Sequence, residues 1–156
     1  MKRRCVFLDR DGTINVSPPP GDYLLSWEEF QFLPGIVDWI RLFNALDFLV
    51  VVVTNQRAVA RGILSVEKLE EINRRMVEAL AEQGARIDEV LYCPHAIGEC
   101  QCRKPAPGMI DAACEKWEID LDASLLIGDS DADQQLAASR GVKFVRVLGG
   151  RIESIV

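Results

Sequence analysis

The sequence predicts an α/β fold, a Rossmann-like parallel sheet with helices on both faces, and three observations predict it. Short β-rich runs alternate with longer runs of helical periodicity, the pattern of successive strand–helix–strand units. The run FLVVVV (48–53) is apolar at every position, as expected for a strand buried between two helix layers. Polar and acidic residues stand just past four of the strand candidates, where open parallel sheets bind ligands: Asp9 and Asp11, Thr54 and Asn55, Cys93 onward, and 129–133.

The elements follow in order. RCVFL (4–8) is the first strand, and SPPPGDY (17–23) is a loop because three prolines and a glycine interrupt it. GIVDWIRLFNALD (35–47) carries Ile36, Val37, Ile40, Leu42, Phe43 and Leu46 at helical spacing. FLVVVVT (48–54) is the second strand. Ser65 is the N-cap of a helix over 66–84, with Glu67, Glu70 and Glu71 in its first turns and Gly84 as its stop. IDEVLYC (87–93) is the third strand, and the helix PGMIDAACEKWEI (107–119) begins at a proline. SLLIGD (124–129) is the fourth strand, DADQQLAASRG (131–141) a helix closed by Gly141, and KFVRV (143–147) the fifth strand. The tail RIESIV (151–156) is given no element.

The chain has 156 residues, 49% of them apolar and 27% charged, the size and balance of a single domain over residues 1–156. A net charge of −6 argues against general attraction to nucleic acid or to an anionic membrane. An anionic substrate must then be drawn in by local positive charge or by a bound cation. The apolar run after MKRRC is too short for a signal peptide, and no apolar run approaches a membrane span, so a cytoplasmic location is expected. Five cysteines, three of them within 93–102, suggest a metal rather than a disulfide framework.

Asp9 and Asp11 in DRDGT set two like charges one residue apart, so a metal, a lysine or catalysis must offset their repulsion. In an extended segment both would point to one side. Each acidic or basic motif has an ordinary reading by itself: a turn for DRDGT, a helix cap for TNQ, surface for RKP, a capped helix start for GDSDAD. Together they supply two carboxylates, a hydroxyl, a lysine and a second acidic cluster, each beyond a predicted strand. CPHAIGECQC (93–102) adds Cys93, His95, Cys100 and Cys102, a Cys₃His set that suits tetrahedral Zn²⁺ and leaves it no open position. Such a loop would hold Arg103 and Lys104 over the ligand edge. Cys5 and Cys114 read as small buried thiols.

In these motifs the chain resembles the haloacid dehalogenase-like (HAD-like) phosphohydrolases: DRDGT (9–13), Thr54 in VVVTNQ, Lys104 in CRKP, and GDSDAD (128–133). The resemblance implies a Mg²⁺-dependent phosphatase with Asp9 as nucleophile and Asp11 as general acid and then base. It implies Mg²⁺ on Asp9, the Asp11 carbonyl and Asp129, with Asp133 as an outer acid, Thr54 on the phosphoryl group and Lys104 neutralising it. The zinc loop and the lack of a large cap insertion resemble the subgroup of D-glycero-D-manno-heptose 1,7-bisphosphate 7-phosphatases and histidinol-phosphate phosphatases. DRDGTIN, GDYLLSWEEFQFLPG, NQRAVARG and CRKPAPGM resemble the heptose enzymes; the four residues between His95 and Cys100, and SPPPGDY, resemble the other group. The implied ligand is a small phosphorylated metabolite, with a sugar phosphate favoured and neither nucleic acid nor membrane as partner. Asn55, Arg57, Arg61 and Arg103 are the candidate substrate contacts. A non-catalytic phospho-receiver is the alternative from another class, and an acid two residues after the acceptor argues against it.

Overall fold

The β-branched runs form strands and the amphipathic runs form helices in a computed structural model that describes residues 1–156. The order is β1 (Cys5–Leu8), a 3₁₀ turn (Trp27–Glu29), α1 (Ile36–Ala45), β2 (Leu49–Asn55), the single turn α2 (Arg57–Ala60) and α3 (Val66–Glu82). Then come β3 (Glu89–Cys93), α4 (Gly108–Lys116), a second 3₁₀ turn (Leu121–Ala123), β4 (Leu125–Gly128), α5 (Asp131–Ser139), β5 (Lys143–Leu148) and β6 (Arg151–Ile155). Ser65 caps α3 by accepting from the Lys68 N–H. Ser130 and Asp133 cap α5 reciprocally.

The strands lie in the order β3-β2-β1-β4-β5-β6. The first five pair in parallel. Residues 50–53 of β2 are completely buried because both faces are covered. One face packs Phe7, Val51 and Leu126 against Ile110 of α4 and Leu136 of α5. The other packs Val6, Val52 and Ile127 against Ile40 of α1 and Met76 of α3. Fully burying a side chain of this kind contributes roughly 1.5–3 kcal/mol.

The tail, unassigned from the sequence, is a sixth strand antiparallel to β5. Gly149 and Gly150 have φ of 58° and 87°, and Leu148 pairs with Arg151 around them. Two successive positive φ angles make a tight hairpin turn that glycine pairs favour.

The chain winds outward from β1 to β2 and β3 on one side and through β4 and β5 on the other. The crevice beyond the ends of β1 and β4 is therefore the switch point where such sheets bind ligands. The long connection 9–35 carries only a 3₁₀ turn and the connection 94–107 no element, so no large cap stands over this edge. No helix is long and apolar enough to cross a membrane.

Candidate active site

β1 ends at Leu8, and Asp9 continues its line by donating its N–H to the Ile127 carbonyl of β4 at 3.0 Å. This sets Asp9 beside Asp129, the residue after β4. Lys104 reaches in from the loop after β3 and is 5% exposed. Its Nζ donates to Asp9 Oδ1 at 2.8 Å, Asp133 Oδ1 at 2.7 Å and the Val53 carbonyl at 2.9 Å. Three acceptors satisfy all three ammonium protons. Burial alone would lower the Lys104 pKa, but the Asp9 and Asp133 carboxylates outweigh it and hold the amine charged.

The carboxylates of Asp9, Asp129 and Asp133 lie within 4.8 Å of one another and face that single cation. Burial pushes the Asp9 carboxyl well above its ordinary range; Lys104 opposes this, while Asp133 and Asp129 add to it. Burial raises Asp129 as well. Two glycines make room for the group: a Cβ on Gly12 would collide with Asp129 Oδ2, and one on Gly128 with Asp133 Oδ2. An all-oxygen donor set with excess negative charge fits a hard divalent cation such as Mg²⁺.

The raised carboxyls set the sign of a pH effect. Above the ordinary carboxylate range the folded form holds protons that the unfolded chain has released, so stability falls as pH rises through this window. A divalent cation favours the ionised carboxylates and offsets that fall. The Mg²⁺-induced rise in Tm should therefore be larger at about pH 8 than at about pH 5. Thermal denaturation with and without Mg²⁺ measures it, and equal shifts at the two pH values would contradict the reading.

Asp11 does not join the three carboxylates. The extended geometry expected to point it alongside Asp9 breaks after Asp9, where the Arg10 carbonyl accepts from the N–H groups of Thr13, Ile14 and Asn15 in a turn. Its side chain is held instead by Arg10, Asn15 and Gln56. Gln56 Nε2 also donates to Thr54 Oγ1 at 3.0 Å, which links Asp11 to Thr54 and leaves the Thr54 proton free to donate elsewhere.

The other predicted residues fall around this centre. Asn55 spends its side-chain amide on the Lys104 backbone, accepting from Lys104 N at 2.9 Å and donating to Lys104 O at 3.2 Å. It was expected on substrate; here it fixes the lysine loop to the end of β2. Asp133 is fully buried, with Oδ1 on Lys104 and Oδ2 on Ser130, so both its oxygens are engaged. Arg57 Nε and Arg103 Nη1 are buried atoms without protein partners. Arg61 donates to the Tyr23 hydroxyl at 3.3 Å and lines a groove of about 420 Å³ with Pro18, Asp22 and Glu29. The sequence reading missed Arg10, Asn15, Gln56 and Arg146. Arg146 donates to the Asp129 carbonyl at 3.1 Å and to Asp131 and Gln134, which steadies the turn after β4.

Next to Lys104, the ligand atoms of Cys93, His95, Cys100 and Cys102 also gather within 4.8 Å. Cys93 Sγ lies 3.4 Å from Cys100 Sγ and 3.0 Å from Cys102 Sγ, and His95 Nδ1 lies 3.2 Å from Cys102 Sγ. None forms a disulfide. Burial works against the Cys100 thiolate, but the backbone N–H groups of Arg103 and Cys102 bring its pKa down to about 6. Burial and its sulfur neighbours push Cys102 up to about 12. The donor set fits a closed tetrahedral Zn²⁺ site. Of the other two cysteines, Cys5 is buried and Cys114 half-buried.

This fold, with its acidic centre and buried lysine at the switch point, defines a HAD-like hydrolase, and the Hydrolase_like family model (HAD-hyrolase-like) matches residues 101–154. The chain is 38% identical over 163 residues to a D-glycero-beta-D-manno-heptose-1,7-bisphosphate 7-phosphatase of Rhodopseudomonas palustris, covering 99% of this chain and 89% of the relative. It is 42% identical over 150 residues to a D-glycero-alpha-D-manno-heptose-1,7-bisphosphate 7-phosphatase of Burkholderia mallei, covering 91% and 78%. The D,D-heptose 1.7-bisphosphate phosphatase from B. bronchiseptica, solved with magnesium and phosphate, superposes with a TM-score of 0.87 at 35% identity over 94% of this chain and 82% of that one. The chain belongs to the HAD-like family of heptose bisphosphate phosphatases. Membership in an enzyme family displaces the phospho-receiver alternative.

Proposed function

We propose that this single-domain chain is a cytoplasmic Mg²⁺-dependent phosphatase that removes the 7-phosphate of a D-glycero-D-manno-heptose 1,7-bisphosphate through an aspartyl-phosphate on Asp9. The observation that carries the mechanism is Asp9 itself, buried at the switch point with Lys104 2.8 Å from Oδ1. Arg10 N–H also binds Oδ1, so Oδ2 is the oxygen left to attack. The Asp9 Oδ2–phosphorus bond forms as the bond to the leaving oxygen breaks, and Asp11 supplies that oxygen with a proton. Asp11 then takes a proton from water, the water oxygen attacks phosphorus, and Asp9 leaves. Thr54 donates to the phosphoryl oxygens and Lys104 balances their charge. Mg²⁺ held by Asp9, Asp129 and the Asp11 carbonyl would neutralise the phosphoryl oxygens as a Lewis acid. Asp133 keeps Lys104 charged and in place.

Zn²⁺ on Cys93, His95, Cys100 and Cys102 has a structural part: it clamps the loop that delivers Arg103 and Lys104. Cys102→Ser should then lose bound zinc by native mass spectrometry, lower Tm, and drop kcat/KM by about tenfold or more in saturating Mg²⁺. A zinc-free protein with unchanged Tm and turnover would rule this out.

The unpartnered nitrogens of Arg57 and Arg103 suit a second, distal phosphate. The relatives are named for both beta and alpha anomers, so the ring substituent is the variable part of the substrate. A second reading, histidinol phosphate, draws on Asp22 and Glu29 in the Arg61 groove, which suit a cationic leaving group. Phosphate release from the two substrates in parallel, with Asp9→Asn as blank, separates them. The heptose reading expects the bisphosphate to lead by about tenfold or more in kcat/KM, roughly 1.4 kcal/mol. The reverse preference would transfer the assignment to histidinol phosphate.

A further inference from the structure

Arg10 stands between the two aspartates and is completely buried. A buried arginine must have its donors met, and here each partner is a particular side chain. Nε lies 3.0 Å from Asp11 Oδ1, Nη2 3.2 Å from Asp11 Oδ2, and Nη1 2.9 Å from Asn73 Oδ1. Asn73 lies in α3, so the guanidinium ties Asp11 to a helix remote in sequence. Asn15 Nδ2 adds a bond to Oδ1 at 3.0 Å, and Gln56 Nε2 adds one to Oδ2 at 3.3 Å. Each carboxylate oxygen therefore accepts two N–H groups. Because Gln56 also binds Thr54, Oδ2 is the oxygen turned toward the phosphoryl side.

We propose that Arg10, backed by Asn73, is a positioning residue for proton transfer: its fork fixes the orientation from which Asp11 protonates the leaving oxygen. The inference rests on the acid–base part assigned to Asp11. In that step Oδ2 gives up its 3.3 Å bond from Gln56 to carry the proton, and the proton passes to the leaving oxygen while its bond to phosphorus breaks and the bond from Asp9 forms. The Asp11 carboxylate so produced later accepts a proton from the attacking water. A lysine would keep the charge but could not span both oxygens in one plane.

The test is rapid-mixing measurement of Asp9 phosphorylation in Mg²⁺-loaded protein with two substrates. From heptose 1,7-bisphosphate the leaving group is the alkoxide of the heptose monophosphate, which needs a proton; from p-nitrophenyl phosphate it is the stable p-nitrophenolate, which does not. Arg10→Lys should slow phosphorylation by the heptose substrate about 10- to 100-fold, and the p-nitrophenolate burst by less than about threefold, with KM unchanged. Asn73→Ala should give the same pattern at about 3- to 10-fold, and carries the test if Arg10→Lys fails to fold. Equal slowing for both leaving groups in a variant with the parent's near-ultraviolet dichroism, or no slowing, overturns the proposal. Asp11→Asn separates the two ideas. If it discriminates between leaving groups while Arg10→Lys and Asn73→Ala do not, positioning by Arg10 is wrong. If Asp11→Asn itself does not discriminate, the acid–base assignment fails and the positioning proposal with it.

Discussion

Asp9→Asn is expected to abolish phosphate release, a loss of at least about 10⁴-fold, while the Mg²⁺-free protein is no less stable than the parent. The activity loss follows from chemistry: an amide oxygen cannot form the aspartyl-phosphate, and no other carboxylate stands in its place at the end of β1. The stability follows from charge. Three carboxylates lie within 4.8 Å of one another around one ammonium, and burial already disfavours the ionised form of Asp9. An amide of the same shape removes one repelling charge. Lys104 keeps Asp133 and the Val53 carbonyl, so no buried cation is stranded. The amide oxygen still accepts from Lys104 and from the Arg10 N–H. Phosphate release and Tm in Mg²⁺-free buffer at about pH 8 give both halves. Residual turnover near that of the parent would remove Asp9 from the nucleophile's place. A sharp fall in Tm would mean that the carboxylate cluster holds the fold together rather than straining it.

Much of this centre was legible because its chemistry is local in sequence. Asp9 and Asp129 directly follow strands, and Thr54 lies one residue before the end of another, each strand with an apolar run plain to read, so the parallel-sheet rule carries them to one edge. The cysteine–histidine loop was legible for a similar reason, since its four ligands fall within ten residues. What escaped lies in partners distant along the chain. Arg10 reads as an ordinary charged residue; its burial draws on Asn73 as well as on the neighbouring Asp11, and no local period announces a bond across 63 positions. Asn55 is a candidate substrate contact by sequence, but one step along a strand from Thr54 a side chain faces the other way, and its amide binds the Lys104 backbone. The sixth strand escaped for a different reason. The glycine pair before it is a hairpin signal, but all five of its residues are exposed, so it lacks the apolar alternation that marks a buried strand.

Lys104→Met tests the same cluster from the opposite side, and the expected outcome is loss of both fold stability and turnover. Methionine fills nearly the same length, and the Asn55 clasp on the Lys104 backbone remains, so the loop path itself is kept. What disappears is the only amine among Asp9, Asp133 and the Val53 carbonyl. Removing one partner of a buried ion pair while leaving the other costs about 3–5 kcal/mol, far more than the pair contributes by its presence. The deficit should depend on pH with a definite sign. Without Lys104 to oppose burial, the Asp9 carboxyl rises further, so the folded variant takes up protons and its deficit shrinks toward about pH 5. Mg²⁺ should recover part of the stability, because it restores positive charge to the cluster, but little activity, because the phosphoryl group still lacks the lysine. The double variant Lys104→Met with Asp9→Asn discriminates further. If charge imbalance is the cause, the two changes are strongly non-additive, and the double variant is more stable than Lys104→Met alone though equally inactive. Additive losses across that cycle would instead mean that Lys104 supports the loop by packing, and that the carboxylates of Asp9 and Asp133 do not depend on its charge.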